Sequence, residues 1–186
     1  MSTTSLIYHS FLETILIAEI SIQRELILPA LILIYSGIDS ASFLATKDIN
    51  AQVNDRFISW VNRWMYSTKI LPCSAEELYS ARCGVVHTFT SDSNLTRNKN
   101  VRRVAYSWGS SDIIKLQKTM DIDHPGKMVA LSVNDLYESY KLGLADFFEF
   151  AMKENSLANQ LEARSIKYFS SISGDDAELY LKSNKC

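Results

Sequence analysis

The chain has few of the residues that interrupt regular structure or cross-link it. It contains six glycines, three prolines and three cysteines in 186 residues. So little glycine and proline argues against a fold of many short strands and tight turns, and favours long helices. The cysteines Cys73, Cys83 and Cys186 are too few and too scattered for a disulfide framework, which indicates a reducing compartment.

The sequence also lacks a strong net charge and a long hydrophobic run. Its net charge is −2, so any attraction to nucleic acid must come from a local patch. The longest apolar run, residues 26–35, contains Pro29 and is too short to span a membrane, so it predicts a buried core helix. The first residues include no basic region, and His9, Ser10 and Glu13 interrupt their apolar stretch, unlike a signal peptide. We therefore expect a soluble, cytoplasmic protein with no membrane partner.

Apolar residues at helical spacing occur along most of the chain. They predict helices over residues 6–22, 29–45, 51–66, 75–90 and 134–153, with weaker helical segments after residue 157. We expect one all-α domain over residues 1–186, a bundle of five to six helices. Residues 91–132 form a small irregular or β-hairpin insertion, with strands near 101–108 and 127–133, and residues 157–186 a C-terminal helical extension.

The predicted helix over residues 75–90 has a clear beginning and one apolar side. Ser74 can accept a hydrogen bond from a free backbone amide, and Glu77 can reach back to it, which is the pattern of a capping box. At about 100° per residue, one apolar stripe is expected, formed by Leu78, Ala81, Val85 and Phe89.

The same helix carries an arginine and a histidine. Arg82 lies at the edge of the apolar stripe, and His87 lies about 140° around the helix from it, on the side of Cys83 and Gly84. Gly84 removes a side chain beside His87 and lets another backbone approach. The pair suits metal-independent cleavage of RNA. A histidine can exchange a proton with the 2′-hydroxyl or the leaving oxygen, and an arginine can stabilise charge on the phosphate.

An R-x(4)-H spacing late in a helix of an all-helical domain resembles the HEPN superfamily. The resemblance is carried by Arg82, Cys83, Gly84 and His87, with a second similarity in I-Y-S-G-I-D at residues 34–39, and it covers about residues 5–155. It implies a metal-independent endoribonuclease with its active site at a homodimer interface. It also implies a toxin, abortive-infection or RNA-processing role, with an antitoxin or regulatory protein as partner.

Two positions depart from the pattern of that superfamily. Cys83 stands where many members have Asn or Asp, and Phe89 stands where one branch has a tyrosine that is modified, so regulation by that route is excluded. The departure at Cys83 favours an alternative function, a non-catalytic helical dimer or adaptor that binds protein or RNA. In that alternative Arg82 forms a salt bridge within the bundle and His87 is a surface residue.

Asp39, near the end of the second predicted helix, has two interpretations. It is either a solvated or capping carboxylate, or it pairs with Arg82 across the bundle and orients it. The second interpretation follows from the need of a partly buried guanidinium for an anionic partner.

The segment that follows the Arg82 helix is basic. Between residues 94 and 120, six cations face Asp112 alone, a local net charge of +5. The segment is either a flexible solvated loop or a flap that contacts RNA phosphates beside His87, with Tyr106 and Trp108 available for base stacking. In the second case the RNA-binding residues are Arg97, Lys99, Arg102 and Arg103.

We predict no metal site and no cofactor. Cys83 and His87 are four residues apart, but the chain has no Cys-x-x-Cys or His-x-x-x-His pair, and a structural zinc normally needs four ligands. No glycine-rich phosphate loop or dinucleotide-binding fingerprint occurs.

Overall fold

The computed structural model describes residues 3–48, 50–90, 101–168 and 174–183. Within these ranges the chain forms helices and one two-stranded sheet, which confirms the predicted all-α fold with a small insertion. The helices are α1 (Thr3–Gln23), α2 (Ile27–Ala45), α3 (Val53–Trp60), α4 (Ala75–Thr88), α5 (Ile113–Asp123), α6 (Val133–Lys153), α7 (Asn155–Tyr168) and α8 (Gly174–Ser183). The strands are β1 (Arg103–Ser107) and β2 (Met128–Ser132).

Helix α2 lies at the centre of the bundle, as its apolar run predicts. It packs against α1, α3, α4, α6 and α7, and Ile34, Ile38 and Ala41 are fully buried. Among the described residues, α2 is also the helix whose length and composition would suit a membrane span, and half of that stretch is buried in the bundle. Burial against five neighbouring helices gives these apolar residues a role in the core.

Helix α3 does not end at Trp60 but continues through a π-helical turn, Val61–Met65, and a last α turn, Tyr66–Thr68. Trp60 and Trp64 are 2% and 8% exposed and contact the Phe147 ring of α6 at centroid distances of 6.3 and 5.5 Å. Both tryptophans therefore belong to the core.

Helix α6 crosses the π-helical turn at Gly143, which is buried. A Cβ atom at this position would lie 2.9 Å from the backbone of Met65 and of Trp64. Only glycine allows the two backbones to come so close.

The two strands of the insertion are present, but the predicted hairpin is wrong. β1 and β2 pair in parallel, with Arg103 opposite Met128 and Ser107 opposite Ser132. Parallel strands need a crossover, and α5 supplies it, giving a βαβ unit. The Gln117 side chain of α5 accepts a hydrogen bond from the amide of Ala130 on β2 at 2.7 Å, which attaches the crossover helix to the strand.

Helix α5 escaped prediction because its apolar residues are not directed into the core. Ile114 and Ile122 are 67% and 80% exposed. Its local signal is the N-cap, where the Asp112 carboxylate accepts from the amides of Ile114 and Lys115.

The insertion is attached to the bundle through polar contacts of β1. The Tyr106 hydroxyl lies 2.5 Å from the Tyr35 hydroxyl of α2, and burial raises the pKa of both phenols. Of the two aromatic residues predicted to stack on bases, Tyr106 is thus engaged with the bundle, whereas Trp108 is 47% exposed.

Helix α7 is part of the bundle, so the segment predicted as a C-terminal extension begins inside it. Leu161 is 1% exposed, and Arg164 donates to the Phe43 carbonyl. Gln160 donates to the carbonyls of Leu44 and Thr46 at 2.7 and 2.9 Å. These side chains satisfy carbonyl groups at the end of α2 that the helix leaves free.

Candidate active site

Helix α4 is fixed at both ends by local hydrogen bonds. Ser74 Oγ accepts from the Glu77 amide at 3.2 Å, and Glu77 Oε2 accepts from the Ser74 amide at 2.8 Å, so the predicted capping box is present. At the other end Phe89 adopts a left-handed conformation, with φ 54°, and its amide donates to the Gly84 carbonyl. The helix therefore holds Arg82 and His87 on one firmly terminated element.

The predicted ion pair between Asp39 and Arg82 is present. Arg82 Nε and Nη2 lie 2.7 and 2.5 Å from Asp39 Oδ2, and the two side chains are 14% and 17% exposed. Asp39 is therefore not the solvated cap of the first interpretation. It joins α2 to α4 and fixes the plane of the Arg82 guanidinium.

The other edge of the same guanidinium contacts His87. Arg82 Nη1 lies 3.0 Å from His87 Nε2, and His87 is exposed. Because a guanidinium only donates, Nε2 accepts in this contact and the neutral ring carries its proton on Nδ1. The two residues lie about 140° apart around the helix, and the long arginine side chain reaches across this separation to His87.

Burial has opposite consequences for the two members of the ion pair. It raises the pKa of Asp39, against the lowering effect of Arg82, Arg56 and His87. A physical reason is that Asp39 Oδ1 is buried without a hydrogen-bond partner among the described residues. Burial lowers the pKa of Arg82, but Asp39 and Cys83 raise it more, so the net direction is upward. Arg82 therefore stays cationic, and Asp39 is the member that acid neutralises.

Cys83 and Gly84 occupy different environments. Cys83 is half-buried, with its Sγ 4.0 Å from Arg82 Nη1. Gly84 is buried, whereas His87, on the same predicted side of the helix, is exposed. β1 of the insertion packs against α4, and Ser80 of this helix is also buried.

Comparison of the chain with known protein families, with curated proteins and with solved structures finds no match. Within the described ranges, no group of three or more His, Cys, Asp or Glu side chains lies close enough together to hold a metal ion. The candidate active site consists of the connected side chains Asp39, Arg82 and His87, which we call the Asp–Arg–His chain.

The predicted RNA-binding residues are distributed over different surroundings. Arg97 and Lys99 lie outside the described residues. Arg103 is a half-buried residue of β1. Arg102 forms a two-pronged contact with Glu77, at 2.6 and 2.9 Å, and donates to the Pro72 carbonyl at 3.2 Å. This contact joins the insertion to α4. We therefore assign Arg102 a structural role and no longer count it among the residues predicted to bind RNA.

Replacing Arg102 with Met should lower the free energy of unfolding by about 1–2 kcal/mol, because it leaves the Glu77 carboxylate buried without its cation. Glu77 is 7% exposed, whereas the Arg102 side chain is 36% exposed, which reduces the effect below that of a fully buried pair. Urea denaturation measures the change. Lys153→Met is the control, because its ion pair with Glu149 lies on the surface and its loss should leave stability unchanged. Unchanged stability in Arg102→Met, together with weaker RNA binding, would show that Arg102 binds RNA, as the sequence predicts.

Proposed function

We propose that the protein is a metal-independent endoribonuclease of the HEPN type that acts as a homodimer. The observation that carries the proposal is the Asp–Arg–His chain, in which a half-buried carboxylate fixes an arginine and the arginine contacts an exposed histidine. No cofactor is required by this proposal.

The chemistry follows from what the Arg82 Nη1 group and the exposed His87 ring can bind. An RNA phosphate can take the Arg82 Nη1 donor, which releases His87 Nε2 from its contact with that group. An imidazole suits proton exchange near neutral pH, so His87 can accept the proton of the adjacent 2′-hydroxyl. The 2′-oxygen then attacks phosphorus and the bond to the 5′-oxygen breaks. That oxygen takes up the proton that His87 accepted, which returns the imidazole to its neutral form. Arg82 stabilises the negative charge that grows on the phosphate.

The proposed dimer places two copies of α4 opposite each other. One helix supplies one arginine and one histidine, whereas a two-fold arrangement supplies two of each in one cleft. His87 is exposed on α4, and Phe89 beside it is 66% exposed, an apolar side chain of the kind that protein interfaces cover. Both observations support an interface at this end of the helix.

The biological role in the proposal comes from the superfamily resemblance. The activity of a toxin, abortive-infection or RNA-processing enzyme of this type must be inhibited until it is needed, and a partner protein that covers His87 would inhibit it. The exposed position of His87 is compatible with such cover.

The test is cleavage of RNA by the purified chain in the presence of EDTA. We expect cleavage of single-stranded or loop-containing RNA, with products that end in a 2′,3′-cyclic phosphate. DNA of the same sequence should remain intact because it lacks the 2′-hydroxyl. Light scattering after gel filtration should give the mass of a dimer. A folded dimer that leaves a broad panel of RNAs uncut would contradict the enzymatic proposal.

The second candidate function is a non-catalytic helical adaptor that binds protein or RNA. The observation that favours it is a row of exposed apolar residues at helical spacing on α1, where Leu12, Leu16 and Ile20 are 63%, 55% and 43% exposed. Such a row suits contact with another helix. Absence of cleavage, combined with loss of a captured partner after Leu16→Glu, would support this function.

A further inference from the structure

A second concave site lies apart from the Asp–Arg–His chain. It is a pocket of about 530 Å³ that opens where α3, α6 and α7 meet the end of α2. Its size lies within the range typical of small-molecule sites. The wall combines cations with aromatic rings, contributed by Lys47, Arg56, Arg63, Trp60, Trp64 and Phe150.

Two buried N–H groups on residues that line this pocket have no hydrogen-bond partner among the described residues. They are Nε of Arg56 and Nε1 of Trp60, and Trp60 is only 2% exposed. A buried donor without an acceptor is costly, so such groups are rare in folded proteins. Two such donors on residues of one pocket indicate that a bound ligand supplies the hydrogen-bond acceptor.

The charge of the wall indicates what kind of acceptor fits. Lys47, Arg56 and Arg63 outnumber Asp55 and Glu154, although the whole chain has a net charge of −2. Within the described ranges the structure shows no ion pair for either arginine. Arg63 instead lies over the rings of Trp64 and Phe150, at 4.5 and 5.1 Å, and Arg56 lies 5.3 Å from the Phe43 centroid. Ring contacts thus hold both guanidinium groups, and neither forms a salt bridge with a carboxylate of the described residues.

We propose that this pocket binds a small organic anion, a planar ring that carries a phosphate or carboxylate group, and that a nucleoside monophosphate is a suitable probe. The anionic oxygens accept from Arg56 Nε and Trp60 Nε1, and Lys47 adds a positive charge at the exposed rim. The ring packs on the apolar part of the wall, which includes Leu157. The site does not depend on the proposed ribonuclease activity.

Isothermal titration of the full chain tests the site, with adenosine 5′-monophosphate, adenosine, inorganic phosphate and benzoate as separate probes. We expect adenosine 5′-monophosphate or benzoate to bind, and adenosine to bind at least about tenfold more weakly, because it lacks the anion that the orphaned donors need. Comparison of the two anions distinguishes a phosphate from a carboxylate ligand. Failure of both anions to bind at about 5 mM, or equal binding of adenosine, overturns the proposal.

Two substitutions connect binding to the orphaned donors. Trp60→Phe removes one N–H and keeps an aromatic ring, and Arg56→Gln removes the charge. Each should weaken binding of the anion about tenfold, because a hydrogen bond to a charged group is among the stronger ones. Arg24→Gln, in the turn between α1 and α2, makes the same change of charge away from the pocket and should leave affinity unchanged.

Folding of each variant is checked by its thermal unfolding transition. Arg56 also lowers the pKa of Asp39, so Trp60→Phe is the variant that leaves the Asp–Arg–His chain untouched. Should Trp60→Phe fail to fold, Arg63→Gln replaces it, since Arg63 lines the same pocket from the aromatic side. Folded variants that bind the anion as tightly as the wild type would overturn the assignment of these donors.

Discussion

RNA cleavage by the His87→Ala variant should be at least about 100-fold slower than that of the wild type, because the variant loses the group that we propose to exchange the proton. Arg82→Ala should lose a similar factor, since it removes the donor that stabilises charge on the phosphate. Initial rates on one labelled RNA, with EDTA present, provide the measurement. His124→Ala is the matched control. It removes an exposed histidine at the end of α5, and its rate should equal that of the wild type.

The two active-site variants differ in what they do to the fold. His87 is exposed, so His87→Ala should unfold at the same temperature as the wild type. Arg82→Ala leaves Asp39 half-buried without its cation, so it should also lose stability. His87→Ala is therefore the decisive variant. A wild-type cleavage rate in a folded His87→Ala protein would remove the catalytic role of the histidine, whatever Arg82→Ala does.

In the proposed mechanism Asp39 acts through Arg82, so its effect can be separated from that of residues that touch RNA. Asp39→Asn keeps the shape of the side chain but removes the anion that fixes the guanidinium. A role in positioning predicts a lower kcat at each pH with the same end products. Arg82→Lys keeps the charge but loses the planar, two-sided contact with Asp39 and His87, and should behave more like Arg82→Ala than like wild type.

Local signals in the sequence were sufficient for the parts of the site that lie within one helix or between two adjacent ones. The capping box of Ser74 and Glu77 depends on three residues of spacing, and the structure contains it. Of the two interpretations of Asp39, the one that pairs it with Arg82 rests on the cost of leaving a partly buried guanidinium alone, and the ion pair is present. The contact between Arg82 and His87 depends on the rotamer of a long side chain, which spacing along a helix does not determine.

The features that the sequence did not predict depend on contacts between distant segments. The parallel pairing of β1 and β2 requires α5 as a crossover. A search for a buried apolar stripe does not identify that helix, because Ile114 and Ile122 are exposed. Gly84 is buried and β1 packs against α4, and the periodicity of α4 alone predicts neither feature. Trp60 lies in the helix predicted over residues 51–66, but its unpartnered Nε1 is seen only in the structure.

Gly143→Ala should lower the free energy of unfolding by about 2–3 kcal/mol, the cost of overpacking a close contact. The added Cβ would lie 2.9 Å from Met65 Cα, Met65 N and the Trp64 carbonyl carbon, and backbone atoms cannot rotate away as a side chain can. Either α6 moves away from the π-helical turn or the turn is remodelled, and both disturb the packing of Trp64 on Phe147. Urea denaturation, followed by tryptophan fluorescence and by circular dichroism, measures the change.

The sign of the Gly143→Ala effect separates two explanations for a glycine within a helix. If close packing did not matter, alanine would stabilise α6 by up to about 1 kcal/mol through its helix propensity. Gly174→Ala is the matched control, because a Cβ there meets nothing within 4 Å and the residue begins α8 in an ordinary conformation. Its stability should stay within about 0.5 kcal/mol of the wild type. A Gly143→Ala protein at least as stable as the wild type would show that α6 can shift at no cost, and that the contact with the π-helical turn does not fix the bundle.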